Sequence, residues 1–433
     1  MSREQTGWVI RNVRVIDPFR DVDSIEDIYV KGEEIGEPSL STDYSVVDGR
    51  DLWLVPRLTD MHVHFREPGF ENKEDLLSGS RAAAAGGFTA VCTMPNTFPT
   101  IDIPSLVQWQ RDQAKNIGLV RIFPIGAISK GQEGRELADL YQMACAGAVG
   151  FSDDGHPLRD ARIMRAALGY STTLGRPIIQ HAEDPALSEG GVMHEGSVSQ
   201  QLGLPGIPEE AESVMVWRDV ELAGLTGGLL HVAHVSAQGS LEALDYAKRR
   251  GLRVTAEVSP HHLFLTDAMI REWNFKPVTK VNPPLRPDGT RQLLIQAVRR
   301  GLIPVIASDH APHHQDEKDR PYNEAPFGIS GLETFIGTIL GVFIVDGLLD
   351  LLSLFWLVTV EPHKVLGLEY PGLTVGAPAD FTLIDPQAKW VVDGKKFYSR
   401  GKNTPLEGTW LQGRPVATMV GGQWTLRDQE VLR

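Results

Sequence analysis

Two histidines one residue apart, followed at once by an arginine and a Pro-Gly turn, stand in the stretch DMHVHFREPG, Asp60 to Gly69. In an extended chain alternate side chains share a face, so His62, His64 and Arg66 are expected on one side and Met61, Val63 and Phe65 on the other. A lone strand histidine is more often a satisfied core residue; a His-x-His running into an arginine reads better as a site. The same residue types recur downstream: Asn96 in TMPN, Asp153 and Asp154 in FSDDG, His181 in QHAED, His234 in HVAHVS and Asp309 in SDHAPH. Each alone is weak, and Asp-Asp-Gly is usually a turn. Four histidines with carboxylates and no cysteine suit a catalytic zinc site rather than a structural one. Six ligands are too many for one tetrahedral ion. Two ions sharing a bridging carboxylate would use them all, polarising a carbonyl and generating a nucleophile near neutral pH, which implies hydrolysis.

Such residues need elements that bring them together. Short β-branched or apolar runs alternate with amphipathic helical stretches, the pattern of parallel α/β architecture. Candidate strands fall at 52–64, 89–96, 121–129, 148–153, 177–184, 229–236, 253–260 and 304–312, with helix-like segments between them, several ended by glycine. Eight such units predict an α/β fold of (β/α)8 TIM-barrel type. A barrel places functional side chains at the C-terminal ends of its strands, which is where the histidines, Asn96 and the aspartates fall.

Composition bounds the remaining choices. At 433 residues the chain exceeds one small core, so a large domain plus a smaller one is expected. A formal charge of −14 argues against nucleic acid as a partner, and an anionic substrate would need local cations. Cys92 and Cys145 are too few for a disulfide scaffold and fit a reducing, cytoplasmic compartment. The opening MSREQTGWVI lacks an apolar signal segment, and the longest apolar run, 335–358, is interrupted by Asp346 and Asp350, so buried helices rather than a membrane span are expected.

Taken together, the strand-one motif with TMPNT, FSDDG, HVAHVS, AEVSPHHL, KVNPPLR, SDHAPH, EAPFGISGLET and GAPADFTLID resembles the dihydroorotases of the amidohydrolase superfamily, of the longer bacterial type, from about residue 50 to 430. The resemblance implies reversible, zinc-dependent cyclisation of N-carbamoyl-L-aspartate to dihydroorotate, the third step of pyrimidine synthesis, on a binuclear centre holding two Zn2+ per subunit. It also implies a small β-sandwich formed from both chain ends, with segments 1–54 and 371–433 flanking a barrel over 55–370. Carried over residue by residue, it makes His62 and His64 ligands of one zinc and His181 and His234 ligands of the other. Asp154 becomes the bridge and Asp309 a ligand and the catalytic general acid/base. His64, Arg66, Asn96 and Asn282 match the positions that hold the substrate, and His313 with the Phe327 and Gly328 backbone matches a lid. A homo-oligomer is the expected assembly, and aspartate transcarbamoylase is a candidate protein partner.

Of the other histidines, His231 reads as structural, His261 and His262 as support for a ligand ring, His310 as packing and His314 as exposed. Arg57 stands where the family usually has glycine, and His314 where threonine is common. A dihydropyrimidinase, hydantoinase or allantoinase shares the fold and the cyclic-amide chemistry, but normally carries a lysine where this chain has Asp154. A non-catalytic scaffold would tend to lose ligands, and none is missing here.

Overall fold

The computed structural model describes residues 6–40 and 42–432; residues 1–5, which open the expected N-terminal sandwich segment, and positions 41 and 433 lie outside them. Five strands come first: β1 (Thr6–Asp17), β2 (Val22–Lys31), β3 (Glu34–Gly36), β4 (Asp43–Asp48) and β5 (Trp53–Pro56). The barrel follows, with β6 (Thr59–Val63), β7 (Ala90–Thr93), β8 (Arg121–Pro124), β9 (Phe151–Ser152) and β10 (Ile178–Gln180). After the outlying pair β11 (Met193–His194) and β12 (Gly206–Ile207) come β13 (Leu230–Val232), β14 (Val254–Val258) and β15 (Val305–Ile306). Last are β16 (Phe381–Val391), β17 (Trp410–Val420), β18 (Gln423–Arg427) and β19 (Glu430–Val431).

Among the described residues the eight barrel strands pair in parallel as β6-β7-β8 and β9-β10-β13-β14-β15. Parallel bridges from Gly126 to Phe151 and from Val63 to His310 join the two arcs into a closed ring. Met61, Cys92, Ile125, Val149, Ile179 and Val305 form one buried cluster, while Val63, Val91, Ile178, Val232, Val258 and Ile306 pack with the helices. That division is what alternation along barrel strands produces. Strands from both chain ends share one sheet because β5 pairs with β1 and with β16, giving the β-sandwich its own core around Ile10, Val30, Phe381 and Met419. The apolar run 335–358 splits into helices Phe335–Phe343 and Leu351–Trp356, the second capped by Asp350 accepting from Ser353 N. No described helix is long and apolar enough to cross a membrane.

Two local expectations fail here. The single strand expected over 52–64 is two strands in different sheets, β5 in the sandwich and β6 in the barrel. Between them Arg57 adopts φ 32°, the left-handed region that favours glycine. Its guanidinium reaches Asp380 at 2.8 Å, and Arg121 holds the same carboxylate at 2.6 Å, an ion cluster between barrel and sandwich that offsets the strained backbone. Strict alternation through the His-x-His motif also breaks down. The β6–β7 register shifts between Asp60 and Val63, so Met61 packs inside the barrel while Val63 and Phe65 face the helices. Irregularities of this kind re-aim side chains beside active sites.

Candidate active site

At the C-terminal rim of the ring, His62 and His64 leave the end of β6 and Asp154 follows β9. His181 follows β10 and His234 follows β13, while Asp309 follows β15. His234 (φ 33°), Asp309 (φ 49°) and Arg66 (φ 63°) all sit in left-handed backbone, which turns each side chain away from the strand direction. Arg66 thus reaches the site through a turn, not through strand alternation.

Asp154 lies at the centre. Its Oδ2 is 3.5 Å from His62 Nε2 and 3.3 Å from His64 Nε2; its Oδ1 is 3.5 Å from His181 Nδ1 and 3.3 Å from His234 Nε2. One carboxylate oxygen faces each histidine pair, so the cluster resolves into two buried triads that share this aspartate. Asp309 Oδ1 adds a second oxygen to the first triad, 3.5 Å from His62 and 3.3 Å from His64. These separations exceed the usual ~2.7–2.9 Å of charge-assisted hydrogen bonds. They match the roughly 3.3 Å edge of a tetrahedron whose ligands stand ~2.0–2.1 Å from a central ion. His62 Nε2, fully buried, has no hydrogen-bond partner and points into the first triad. On this geometry and donor chemistry the residues fit a pair of divalent cations.

The outer ring nitrogens of His62, His64 and His181 are held by other groups, whereas His234 Nδ1 is buried without a partner. His62 Nδ1 lies 2.5 Å from Glu257 Oε1, and His231 Nε2 approaches the same carboxylate at 3.2 Å while its Nδ1 meets Thr255. His231 is therefore a support, as its position on β13 suggested. His181 Nε2 meets Glu183 Oε2 at 3.0 Å, and His64 Nδ1 meets Asn96 Oδ1 at 2.8 Å. Such partners fix the tautomer and aim the free nitrogen. Glu183 and Glu257 were missed in the sequence, although a carboxylate within the apolar run RVTAEVSP is itself a signal, because a buried charge persists only when paired. His261 and His262 both contact Ser259, and His262 Nε2 meets Pro283 O. His310 contacts Glu74, and His314 is exposed.

Burial disfavours charge on every group here, and the direction of each shift shows where opposite charge wins. Burial works against protonated His181, but the Asp154 and Glu183 carboxylates outweigh it and lift its pKa to about 10. For His62, too, Asp154 and Glu257 prevail and raise the pKa well above the ordinary histidine value. Asp154 and Asp309 are held below the carboxylate range against burial, chiefly by the surrounding histidines. His64 goes the other way from His181 and His62, burial holding its pKa below the ordinary histidine value. Asp153 differs: it accepts from Ile128 N (2.9 Å), Ser129 N (3.0 Å) and the Ser129 hydroxyl, and burial lifts its pKa to about 6.

Of the expected substrate contacts, Arg66 is partly buried, with its Nε atom buried and without a partner, and desolvation lowers its pKa to about 10. Asn96 keeps its amide nitrogen free of His64, and Asn282 Nδ2 donates to Glu183 Oε2 at 2.9 Å. His313 Nε2 contacts Phe327 O at 2.7 Å, whereas the Gly328 amide donates to Lys280 O and its carbonyl accepts from Asn403.

A parallel barrel with a shared-aspartate, four-histidine rim and a sandwich of both chain ends defines the amidohydrolase class of metal-dependent barrel enzymes. Similarity in fold agrees. The L-hydantoinase (dihydropyrimidinase) from Arthrobacter aurescens superposes with a TM-score of 0.86 at 25% identity, covering 100% of this chain and 98% of that one. A dihydropyrimidinase from Brevibacillus agri shares the fold at a TM-score of 0.84 and 20% identity, over 98% of this chain and 96% of that one. Sequence comparison is more specific. A family model described as Dihydro-orotase-like matches residues 52–240. The chain is 45% identical to a dihydroorotase of Pelotomaculum thermopropionicum over 98% of this chain and 99% of the relative. It is 44% identical to one of Anaeromyxobacter dehalogenans over 96% of each, and 43% identical to one of Solibacter usitatus over 98% and 99%. The chain belongs to the dihydroorotase family.

Proposed function

We propose that this cyclic amidohydrolase interconverts N-carbamoyl-L-aspartate and (S)-dihydroorotate, with the rim residues in the roles given above. The observation that carries the reading is Asp154, a carboxylate with one oxygen turned to each histidine pair, where hydantoinase-type enzymes normally carry a lysine. His62, His64 and Asp309 would hold one cation, His181 and His234 the other, with Asp154 between; zinc, two per subunit, suits this nitrogen and oxygen donor set. The ion pair would polarise the ring carbonyl and supply a water-derived nucleophile near neutral pH. Asp309, facing both His62 and His64, would accept the proton of the attacking water-derived nucleophile and pass it to the departing ring nitrogen as the amide bond breaks. Arg66, with an unpaired Nε, offers the cation that an anionic ring needs in an acidic protein, a bidentate partner for its carboxylate. Asn96 offers an amide donor and Asn282 a carbonyl acceptor to the ring edge, while His313 and the Phe327–Gly328 backbone close the site. The barrel segment 55–370 carries this chemistry between the sandwich segments 1–54 and 371–433. A homo-oligomer and association with aspartate transcarbamoylase follow from the family reading, and the two free cysteines suit the cytoplasm.

The test is elemental metal analysis coupled to dihydroorotate hydrolysis. Two zinc ions per chain are expected, with turnover falling as chelator removes them and returning on readdition; activity that ignores metal content would refute the reading. The direction of reaction follows from proton bookkeeping. Opening dihydroorotate turns a monoanion into a dianion plus a proton at neutral pH, so the open acid gains about tenfold per pH unit, about 1.36 kcal/mol. Cyclisation is favoured in acid. An equilibrium ratio constant between pH 6 and 8 would mean that a different reaction is catalysed.

A further inference from the structure

Strands β16 and β17 are antiparallel neighbours, Val391 opposite Trp410, yet the chain between them runs through residues 392–409. A hairpin needs only about two to five residues, so so long an excursion calls for another reason. This segment lies across the seam where the first and eighth barrel strands meet. Arg400 donates to Glu71 O at 2.6 Å and pairs with Asp75, while the Ser399 hydroxyl and the Arg400 amide donate to Glu74 in the loop after β6. Asn403 engages the loop after β15. Its Nδ2 donates to Gly328 O at 2.9 Å, its Oδ1 accepts from His313 N at 3.3 Å, and its own carbonyl accepts from Ser330 N at 2.9 Å. Asn403 is 3% exposed, so little water competes for these bonds. Gly401 is required for the approach, since a Cβ there would stand 2.5 Å from Pro312 Cβ.

One amide thus joins the two ends of the loop 313–328, both of which are read above as substrate contacts. We propose that Asn403 is a positioning residue for dihydroorotate, holding the His313 and Gly328 backbones at the separation the bound ring requires, so that the C-terminal segment takes part in substrate recognition. The inference rests on the reading of His313, Phe327 and Gly328 as substrate contacts. It concerns how they are held.

Asn403→Asp tests it, because the change is nearly isosteric, keeps the acceptor for His313 N and replaces the donor to Gly328 O with a repelling oxygen. The metal-loaded enzyme should show a KM for dihydroorotate raised about tenfold or more, with kcat altered less than about threefold. Zinc content should match the wild type, and Tm should fall by only a few degrees, the cost of one buried hydrogen bond lost. Cleavage at the exposed Glu324 by a glutamate-specific protease, slowed by saturating dihydroorotate in the wild type, should no longer be slowed. Asn403→Ala should shift KM in the same direction. Unchanged KM and intact ligand protection in both variants would overturn the proposal; so would losses of zinc and Tm with kcat and KM changed alike, which would make Asn403 only a structural brace. His313→Ala separates the two layers. If it behaves as wild type, the substrate-contact reading falls, and if it is impaired while Asn403→Asp is not, only the positioning role falls.

Discussion

Asp154→Asn is expected to lower dihydroorotate turnover by at least ~10³-fold and to strip the protein of much of its zinc, whereas Asp153→Asn stays within about tenfold of wild type. An asparagine at 154 presents an oxygen to one histidine pair and an NH2 group to the other, so it cannot serve both. The charge stabilisation lost is several kcal/mol, and every 1.36 kcal/mol is about a factor of ten in rate. The neighbouring aspartate has a different task. Its Oδ1 accepts two backbone amides, from Ile128 and Ser129, and an asparagine oxygen can do the same. Its carboxyl is already pushed up to about 6 by burial, so removing the charge costs little. Parallel kinetics and metal analysis of the two variants decide the matter. Equal losses, or the reverse order, would remove Asp154 from the bridging role.

The second large effect concerns the substrate carboxylate. Dihydrouracil and hydantoin lack it, and kcat/KM for either should fall at least ~10³-fold below that for dihydroorotate. A buried polar site built for a partner pays the unpaired cost when the partner is missing. Arg66 is the main contributor: the side chain is partly buried, and its buried Nε has no protein partner. Arg66→Met keeps much of the stem's bulk and removes the charge, so it should cut dihydroorotate turnover steeply while narrowing the preference over the uncharged rings. Comparable wild-type rates on all three rings would move the assignment to a dihydropyrimidinase-type activity. No turnover of any ring by the zinc-loaded protein would favour a non-catalytic scaffold.

Much of this centre is legible one motif at a time. His-x-His at a strand end, Asp-Asp-Gly after another and Ser-Asp-His after the eighth are local patterns, and eight repeating strand–helix units leave few folds able to gather them. Less legible is the aim of each side chain. Strict alternation would have put Met61 and Val63 on one face; the register shift in β6 separates them, because a bulge depends on how the neighbouring strand pairs. The strand-like stretch 52–64 hid a change of sheet at Arg57, whose positive φ is tolerated because Asp380, far along the chain, meets its guanidinium.

The sequence by itself determined the residue types of the centre, their place at strand ends and the barrel class, since periodicity and turn chemistry are written among near neighbours, while the sandwich drawn from both termini was implied only by the family resemblance. Only the tertiary structure decided that Asp154 turns one oxygen to each histidine pair and that Glu257 and Glu183 orient His62 and His181. It alone decided that Asn403 crosses from the sandwich connection to His313 and Gly328. Those contacts join residues far apart in the chain, and their geometry exists only once the barrel has closed and burial has made every unpaired polar group costly enough to demand its partner.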